Sequence, residues 1–288
     1  MAMDIRHLFG IAAVGVLIAG TAAADEGRMK VVTTFTVLAD MARNITGDTA
    51  EVTSITVPGA EIHEYEPTPQ DLVRGHGADL IISNGLGLEL WFQKFLDRLG
   101  EVPTIIASEG VVPLSITGGE YDGKPNPHAW MSLENAILYI DNMTAAFARQ
   151  DPENAATYIA NADAYKARLQ AALGPLKDAI ATIPEDNRWL VSCEGAFGYL
   201  ARDLGLHELF LWPVNADQMG TPRQVRRVID GVREHAIPAV FCESTVNTAP
   251  AEQVARETGA RYGGVLYVDS LSAPDGPVPT YLDLLQVT

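Results

Sequence analysis

The sequence predicts an α/β protein with two lobes of mostly parallel sheet, joined by one long rigid helix. Short β-rich runs alternate with helical patterns in the first half of the chain. One long Ala-rich helical pattern follows, and the strand–helix alternation then resumes. Such alternation is typical of βαβ units, in which the intervening helix returns the chain so that the strands run parallel.

The first alternation defines the predicted N-terminal lobe, residues 25–150. Its strand-like runs are rich in β-branched and apolar residues, as in buried strands. Its helical segments carry apolar residues three and four positions apart, with polar residues on the opposite face. The predicted strands are 31–35, 52–57, 80–83 and 104–107, and the predicted helices are 37–45, 69–75 and 88–99.

A single long helix is predicted over residues 152–183, within a linking segment 151–184. Asp151 is the predicted N-cap, and Pro152 suits the first helical position. About thirty helical residues span about 45 Å, which is longer than a crossover helix in a small lobe needs. Its apolar positions follow at three- and four-residue steps: Tyr158, Ala162, Tyr165, Leu169, Leu173, Leu176 and Ile180.

The second alternation defines the predicted C-terminal lobe, residues 185–288. It has the same character as the first, with short β-rich runs separated by helical patterns. The predicted strands are 189–193, 207–211, 239–242 and 266–269, and the predicted helices are 196–204, 221–235, 251–258 and one beginning near Val278.

Residues 1–24 have the pattern of a secretory signal peptide. Arg6 and His7 precede an apolar run over residues 8–20, and Ala22-Ala23-Ala24 follow before Asp25. About 13 apolar residues are too few for a membrane span, which needs about 20. We expect cleavage after about Ala24 and a periplasmic protein. Because no cysteine lies near this point, we expect no lipid anchor.

The composition excludes some classes of partner. The 288 residues include 37 acidic and 20 basic side chains, for a formal net charge of −17. Nucleic acids and anionic membranes are bound through basic patches, so neither is an expected partner. The charge is compatible with a cationic ligand, and we expect a monomer.

The two cysteines, Cys193 and Cys242, each end an apolar run that is predicted as a strand. An oxidising compartment permits a disulfide between them. Two buried free thiols fit the same pattern, and the sequence leaves the choice open.

Two histidines lie in unusual loops. His63 is part of Glu-Ile-His-Glu-Tyr-Glu-Pro-Thr-Pro, and His128 is part of Pro-Asn-Pro-His-Ala-Trp-Met. Proline restricts the backbone of each loop before any ligand arrives, as a preorganised metal site requires. His76, His207 and His235 occur at helix or strand ends, and we interpret them as structural.

Two carboxylates follow predicted strands. Glu194 comes directly after 189–193, and Asp269 ends 266–269. Ligands of open α/β sheets bind beyond the carboxyl ends of the strands, where both acids are expected. Acidic residues are also common at helix starts for reasons unrelated to ligands.

Together these segments resemble the manganese, zinc and iron solute-binding family of ABC importers. The resemblance covers about 29–288 and rests on segments that occur in the family's order: HEYEPTP, NPHAWMS, the long helix, CEGAFGYLARDLG, CESTVN and YGGVLYVDSLS. It implies two α/β lobes bridged by a rigid helix, with a metal ion between them. The implied ligands are His63, His128, Glu194 and Asp269. The implied partner is an inner-membrane ABC transporter permease with its ATPase.

The ligand set favours manganese or ferrous iron as the transported ion. Zinc members of the family usually have a third histidine at the position of Glu194, and often a His-rich loop before the second ligand. Here the corresponding residues 116–124 contain no histidine. Two imidazoles and two carboxylates suit Mn²⁺ or Fe²⁺ better than thiolates would, although such sites also bind Zn²⁺. A zinc-binding member of the same family is therefore the alternative.

Two other classes fit the sequence less well. A metal-dependent hydrolase needs an open coordination position and a general base, and the chain has neither a His-Glu-x-x-His nor a Gly-x-Ser-x-Gly motif. A binding protein for an organic solute would use a larger, aromatic-lined pocket. Cys193 is not an expected ligand, because neighbouring strand residues point to opposite faces and Glu194 is expected to point inward.

Overall fold

The structure is a computed structural model that describes residues 27–214 and 220–288, so the predicted signal peptide 1–24 lies outside it. The strands within those residues are β1 Met29–Thr33, β2 Ala50–Ser54, β3 Leu80–Ser83, β4 Thr104–Ile106, β5 Trp189–Glu194, β6 His207–Trp212, β7 Ala239–Glu243 and β8 Arg261–Leu266. The helices are α1 Thr36–Thr46, α2 Pro69–Gly75, α3 Phe92–Leu99, α4 Leu133–Gln150, α5 Ala155–Ala181, α6 Gly198–Leu204, α7 Pro222–Glu234, α8 Ala249–Thr258 and α9 Tyr281–Val287.

The first four strands form one parallel sheet in the order β2-β1-β3-β4. Its central strand β1 pairs with β2 from Met29 opposite Ala50 and with β3 from Val31 opposite Leu80. The buried apolar side chains of β1 and β3 lie at its centre. The predicted α/β class with parallel sheet is confirmed.

The later strands form two parallel pairs, β5 with β6 and β7 with β8. A disulfide joins Cys193 of β5 to Cys242 of β7, whose Cα atoms are 4.8 Å apart. The two pairs therefore lie side by side, and the ends of β5 and β7 are neighbours. This answers the question that the sequence left open about the two cysteines.

The predicted strand 266–269 is wrong in position. The strand β8 ends at Leu266, and Asp269 lies three residues beyond it. Gly263 and Gly264 make this strand difficult to predict from the sequence, because glycine weakens strands and is uncommon within them. Glycine is favoured here, because a Cβ atom on Gly263 would overlap the ring of Phe241 on β7 unless that ring moved. A register shift of the β7–β8 ladder falls at the same place.

The long helix is present, but it begins later than predicted. Residues 152–154 form a short 3₁₀ turn, and α5 then runs from Ala155 to Ala181, about 40 Å. Asp151 is the N-cap residue of the 3₁₀ turn, with Pro152 at its start, whereas Asn154 has that position for α5. The Asp151 carboxylate accepts hydrogen bonds from the Asn154 side-chain amide and the Tyr158 hydroxyl. The lobe boundaries at 150/151 and 184/185 stay a prediction.

One helix, α4, was not predicted. Its signals are nevertheless in the sequence: Ser132 caps its N-terminus by accepting from the Asn135 backbone N–H, and buried apolar residues follow at helical spacing. The helix begins just after the loop that carries His128, and it packs against α5.

The buried apolar side chains form two cores. The larger core surrounds the four-stranded sheet with α1, α4 and α5, and it also takes in buried residues between Leu266 and Leu285. The smaller core lies between the β5, β6 and β7 strands and the helices α7 and α8. Within 27–214 and 220–288, no helix combines the length and apolar character needed to cross a membrane.

Candidate metal centre

His63 lies in the loop between β2 and α2, and this loop is held at several points. The backbone N–H groups of His63 and Glu64 donate to the Glu61 carboxylate, at 2.7 and 2.9 Å. The Trp91 indole N–H donates to the carbonyl of Ile62 at 2.9 Å. These bonds fix the backbone on both sides of the imidazole.

His128 lies in the segment between β4 and α4 and is completely buried. The side-chain oxygen of Asn126 accepts from its backbone N–H at 3.0 Å and lies 2.8 Å from its ring Nδ1. The Asn84 amide holds the same turn by donating to the carbonyl of Pro127 at 3.0 Å. The ring is thereby turned so that Nε2 faces the interior.

Glu194 is the last residue of β5 and is fully buried. Its backbone N–H donates to the carboxylate of Glu243, the last residue of β7, at 3.1 Å. Cys193 and Cys242 join the same two strands one residue earlier. Since successive strand residues point to opposite faces, the disulfide occupies one face while Glu194 faces the other, as predicted.

Asp269 lies in the loop after β8 and is 1% exposed. The Thr245 hydroxyl donates to its Oδ2 at 3.3 Å. The Trp130 indole N–H donates to the carbonyl of Val268 at 3.0 Å, and the backbone N–H of Leu271 donates to the Thr36 hydroxyl at 2.9 Å. The loop is thus attached on either side of Asp269 to the part of the molecule that carries His128.

The structure brings the four residues proposed from the sequence into one buried group. One atom from each lies within 4.8 Å of the corresponding atoms of the others. Nε2 of His63 is 3.2 Å from Nε2 of His128 and 3.4 Å from Oε1 of Glu194. Nε2 of His128 is 3.5 Å from both Oε1 of Glu194 and Oδ1 of Asp269. This convergence of nitrogen and oxygen donors is suited to a divalent cation.

The surroundings of the group determine its protonation. Burial lowers the pKa of His63 well below its usual range, and the nearby His128 lowers it further. Burial also lowers the pKa of His128, although the Asp269 charge opposes this. Burial raises the pKa of the Asp269 carboxyl well above its usual range, and the Glu194 charge adds to the rise. Both rings are therefore held neutral, the form that binds metals.

A cavity of about 420 Å³ reaches the group from one side. Of the four residues, His63 lines this cavity, together with apolar side chains that include Leu86, Leu90, Ile116 and Val214. His128 and Glu194 are fully buried behind it. An ion that enters through this cavity therefore meets His63 first.

The other described histidines do not join the group. His76 is an exposed residue at the end of α2. His207 and His235 are exposed, and their rings pack on Trp189 with centroids 4.8 and 4.2 Å away. Their structural interpretation agrees with these positions.

Several residues that hold the site, among them Asn126 and Glu243, were missed by the sequence analysis. Asn126 contacts His128, and Glu243 contacts Glu194. A signal for Glu243 exists, because the dipeptide Cys-Glu occurs twice, at residues 193–194 and 242–243, each time at the end of a strand. Asn126 lies between two prolines directly before His128, yet the sequence does not show what its amide contacts.

The fold and the buried donor group are those of an α/β protein suited to hold a divalent metal ion. Comparison with known families agrees: residues 31–288 match the family described as zinc-uptake complex component A, periplasmic. The chain belongs to this family, and the resemblance inferred from the sequence is confirmed.

Individual relatives within this family have names that refer to several metals. The chain is 52% identical over 287 residues to the iron-binding protein YfeA of Yersinia pestis, covering 98% of this chain and 92% of that protein. It is 35% identical over 284 residues to the manganese-binding lipoprotein MntA of Halalkalibacterium halodurans, covering 96% of this chain and 94% of that protein.

Solved structures show the same fold. The Mn-bound periplasmic metal binding protein from Candidatus Liberibacter asiaticus is 42% identical, with a TM-score of 0.84, covering 90% of this chain and 96% of that chain. The periplasmic zinc binding protein TroA from Treponema pallidum is 22% identical, with a TM-score of 0.83, covering 91% of this chain and 96% of that chain. At that identity, the second comparison concerns the fold alone.

Proposed function

We propose that this protein binds Mn²⁺ or Fe²⁺ as a transported cargo and delivers the ion to an inner-membrane ABC transporter permease with its ATPase. The proposed ligands are His63, His128, Glu194 and Asp269. The observation that carries the proposal is the convergence of these four buried donors within 4.8 Å of one another. A group of this composition is unfavourable in the interior without a cation, because the two carboxylates repel each other when both are ionised.

The choice of metal rests on the two carboxylates. Together they neutralise a divalent cation and offer up to four oxygen atoms, which favours Mn²⁺ and Fe²⁺ more than a set with a third imidazole would. The names of YfeA and MntA refer to iron and manganese, and this supports the same assignment. Zinc is the alternative, since imidazole and carboxylate also bind it.

We propose that the protein acts in the periplasm, after export and cleavage near Ala24. The description of the family as periplasmic supports export. The proposed arrangement is a lobe of residues 25–150, a linking segment 151–184 and a lobe of residues 185–288, acting as a monomer. The protein is proposed to bind its cargo without changing it chemically, so it is not an enzyme.

A metal titration tests the proposal. Chelator-treated protein should bind one equivalent of Mn²⁺ in a competition titration with a fluorescent chelator. Asp269→Ala and His128→Ala should each lower the affinity at least about a hundredfold, because each removes a donor from a preorganised set. The matched control is Glu234→Ala, which removes an exposed carboxylate at the end of α7.

The outcome separates the proposal from its alternatives. Absence of Mn²⁺, Fe²⁺ and Zn²⁺ binding would contradict metal transport. Tight Zn²⁺ binding combined with zinc in protein taken directly from its native periplasm would replace manganese and iron by zinc as the cargo. Manganese or iron in that native protein is the expected result.

A further inference from the structure

We propose that Asn126 is a positioning residue for the metal site, which fixes the tautomer of His128 and ties the His128 loop to the strand end that carries Glu194. This inference rests on the proposed function. Asn126 is 6% exposed and is not one of the four proposed ligands.

The orientation of the Asn126 amide follows from two backbone groups. Its Oδ1 accepts from the backbone N–H of His128 at 3.0 Å, and its Nδ2 donates to the carbonyl of Gly195 at 2.8 Å. A backbone N–H can only donate, and a carbonyl can only accept. The oxygen and nitrogen ends of the amide are therefore determined independently of the histidine ring.

This orientation determines where His128 carries its proton. Nδ1 of the ring lies 2.8 Å from Oδ1 of Asn126, an atom that only accepts. Nδ1 therefore bears the proton, and the lone pair of the neutral ring is on Nε2. That atom faces His63, Glu194 and Asp269. Partners of this kind orient metal-binding histidines and raise their basicity.

The same residue links two distant parts of the chain. Gly195 directly follows Glu194, so the bond from Asn126 connects the segment of one proposed ligand to that of another, 69 positions away. The Tyr199 hydroxyl on α6 donates to the carbonyl of Asn126 at 2.8 Å and accepts from the backbone N–H of Leu114 at 3.0 Å. Asn126 is thus held through both its side chain and its backbone.

Two substitutions of Asn126 distinguish the effect of its contact to His128 from that of its contact to Gly195. Asn126→Ala removes both the acceptor for His128 and the donor to Gly195. Asn126→Asp keeps the acceptor but places an oxygen against the Gly195 carbonyl. The matched control is Asn142→Ala, because the Asn142 amide donates to the carbonyls of Ala107 and Glu109, at 2.8 and 2.9 Å, and contacts none of the four proposed ligands.

Nitrogen-15 NMR of the imidazoles in the metal-free, full-length mature protein tests the tautomer directly. We expect the Nδ1–H form of His128 in the wild type, Asn126→Asp and Asn142→Ala, and a mixture of both forms in Asn126→Ala. An unchanged tautomer in Asn126→Ala would overturn the inference. Because this readout needs no metal, it stands even if the wild type binds none, a result that would count against the proposed function instead.

Mn²⁺ binding and release test the functional consequence. We expect Asn126→Ala to bind Mn²⁺ about 10–100-fold more weakly than the wild type, the range usual for partners of metal ligands. Asn126→Asp should lose less affinity but release Mn²⁺ to excess chelator faster than the wild type. Asn142→Ala should stay within about twofold. Equal affinity of Asn126→Ala and wild type, or an equal loss in Asn142→Ala, would overturn the inference.

Discussion

The Nε2 atoms of His63 and His128 lie 3.2 Å apart, although 65 positions separate the two residues along the chain. Both rings are buried, and burial lowers the pKa of each. Two neutral imidazoles at this distance either share one proton or direct both lone pairs to a common cation. Because Glu194 and Asp269 approach the same point, the cation is the arrangement that satisfies all four side chains.

Metal binding should stabilise the fold. A ligand that binds only the folded state at a thousandfold excess over its Kd adds about 4 kcal/mol to the free energy of unfolding. For a chain of this size we therefore expect the melting temperature to rise by about 10 °C on addition of Mn²⁺. Differential scanning calorimetry measures the rise. The same rise in Asp269→Asn would show that the ion binds elsewhere.

As the pH falls, protonation of Asp269 should be the first event that weakens Mn²⁺ binding. Its pKa is raised by burial and by Glu194, so below this raised pKa the metal must displace a proton from the carboxyl. Affinity should therefore be constant above that pKa and fall by about tenfold per pH unit below it. The lowered histidine pKa values delay competition by protonated imidazole to pH values below the usual 6.5.

Competition titrations between pH 7.5 and 4.5 test this dependence. In Asp269→Asn the first step of the pH dependence should disappear, although the overall affinity is lower. Calorimetry in buffers of different ionisation enthalpy counts the released protons. Affinity that stays constant down to about pH 4.5 would exclude Asp269, whose pKa is raised, as a ligand.

Glu194 should determine the preference for manganese over zinc. Its Oε1 lies 3.4 and 3.5 Å from Nε2 of His63 and His128. Glu194→His replaces a charged carboxylate by one nitrogen donor, which Zn²⁺ tolerates better than the harder Mn²⁺. We expect Mn²⁺ affinity to fall at least about tenfold, or 1.4 kcal/mol, with a smaller loss or a gain for Zn²⁺.

Titrations with both metals measure this change. The matched control is Glu234→His, which introduces a histidine on the exposed end of α7. An unchanged ratio of Mn²⁺ to Zn²⁺ affinity in Glu194→His would remove Glu194 as the selectivity position.

The disulfide should contribute substantially to stability. It closes a loop of 49 positions between Cys193 and Cys242. In the chain-entropy treatment, a loop of this length adds about 4 kcal/mol by restricting the unfolded chain. Replacing both cysteines by serine should lower the free energy of unfolding in urea by about 2–4 kcal/mol. A loss below about 1 kcal/mol would contradict this role. So would a reducing agent that destabilises the double serine variant as much as it destabilises the wild type.

Local sequence signals predicted most of the strands and helices and marked the candidate ligands, and the family resemblance implied that four of them form one set. His63 and His128 lie in proline-rich loops, and Glu194 ends a strand, so each stands out from its own neighbours. The rest depends on contacts between distant segments. The strand β8 contains two glycines, and the preference for one of them appears only when the Phe241 ring of β7 is in place.

Contacts between residues that lie far apart in the chain could not be predicted from local sequence signals. The bond between Cys193 and Cys242 requires β5 and β7 to be neighbours, and local sequence does not determine which strands are adjacent. The contact between Asn126 and the Gly195 carbonyl likewise depends on how the two segments meet. Side chains that act through a backbone group far along the chain leave no local pattern.

We propose that one metal ion is bound by His63, His128, Glu194 and Asp269 together. Anomalous diffraction from crystals of Mn²⁺-loaded protein, recorded on both sides of the manganese absorption edge, tests it most directly. We expect one strong anomalous peak per chain, bonded to Nε2 of both histidines and to oxygens of both carboxylates. A peak elsewhere in the molecule, with none between these four side chains, would contradict it.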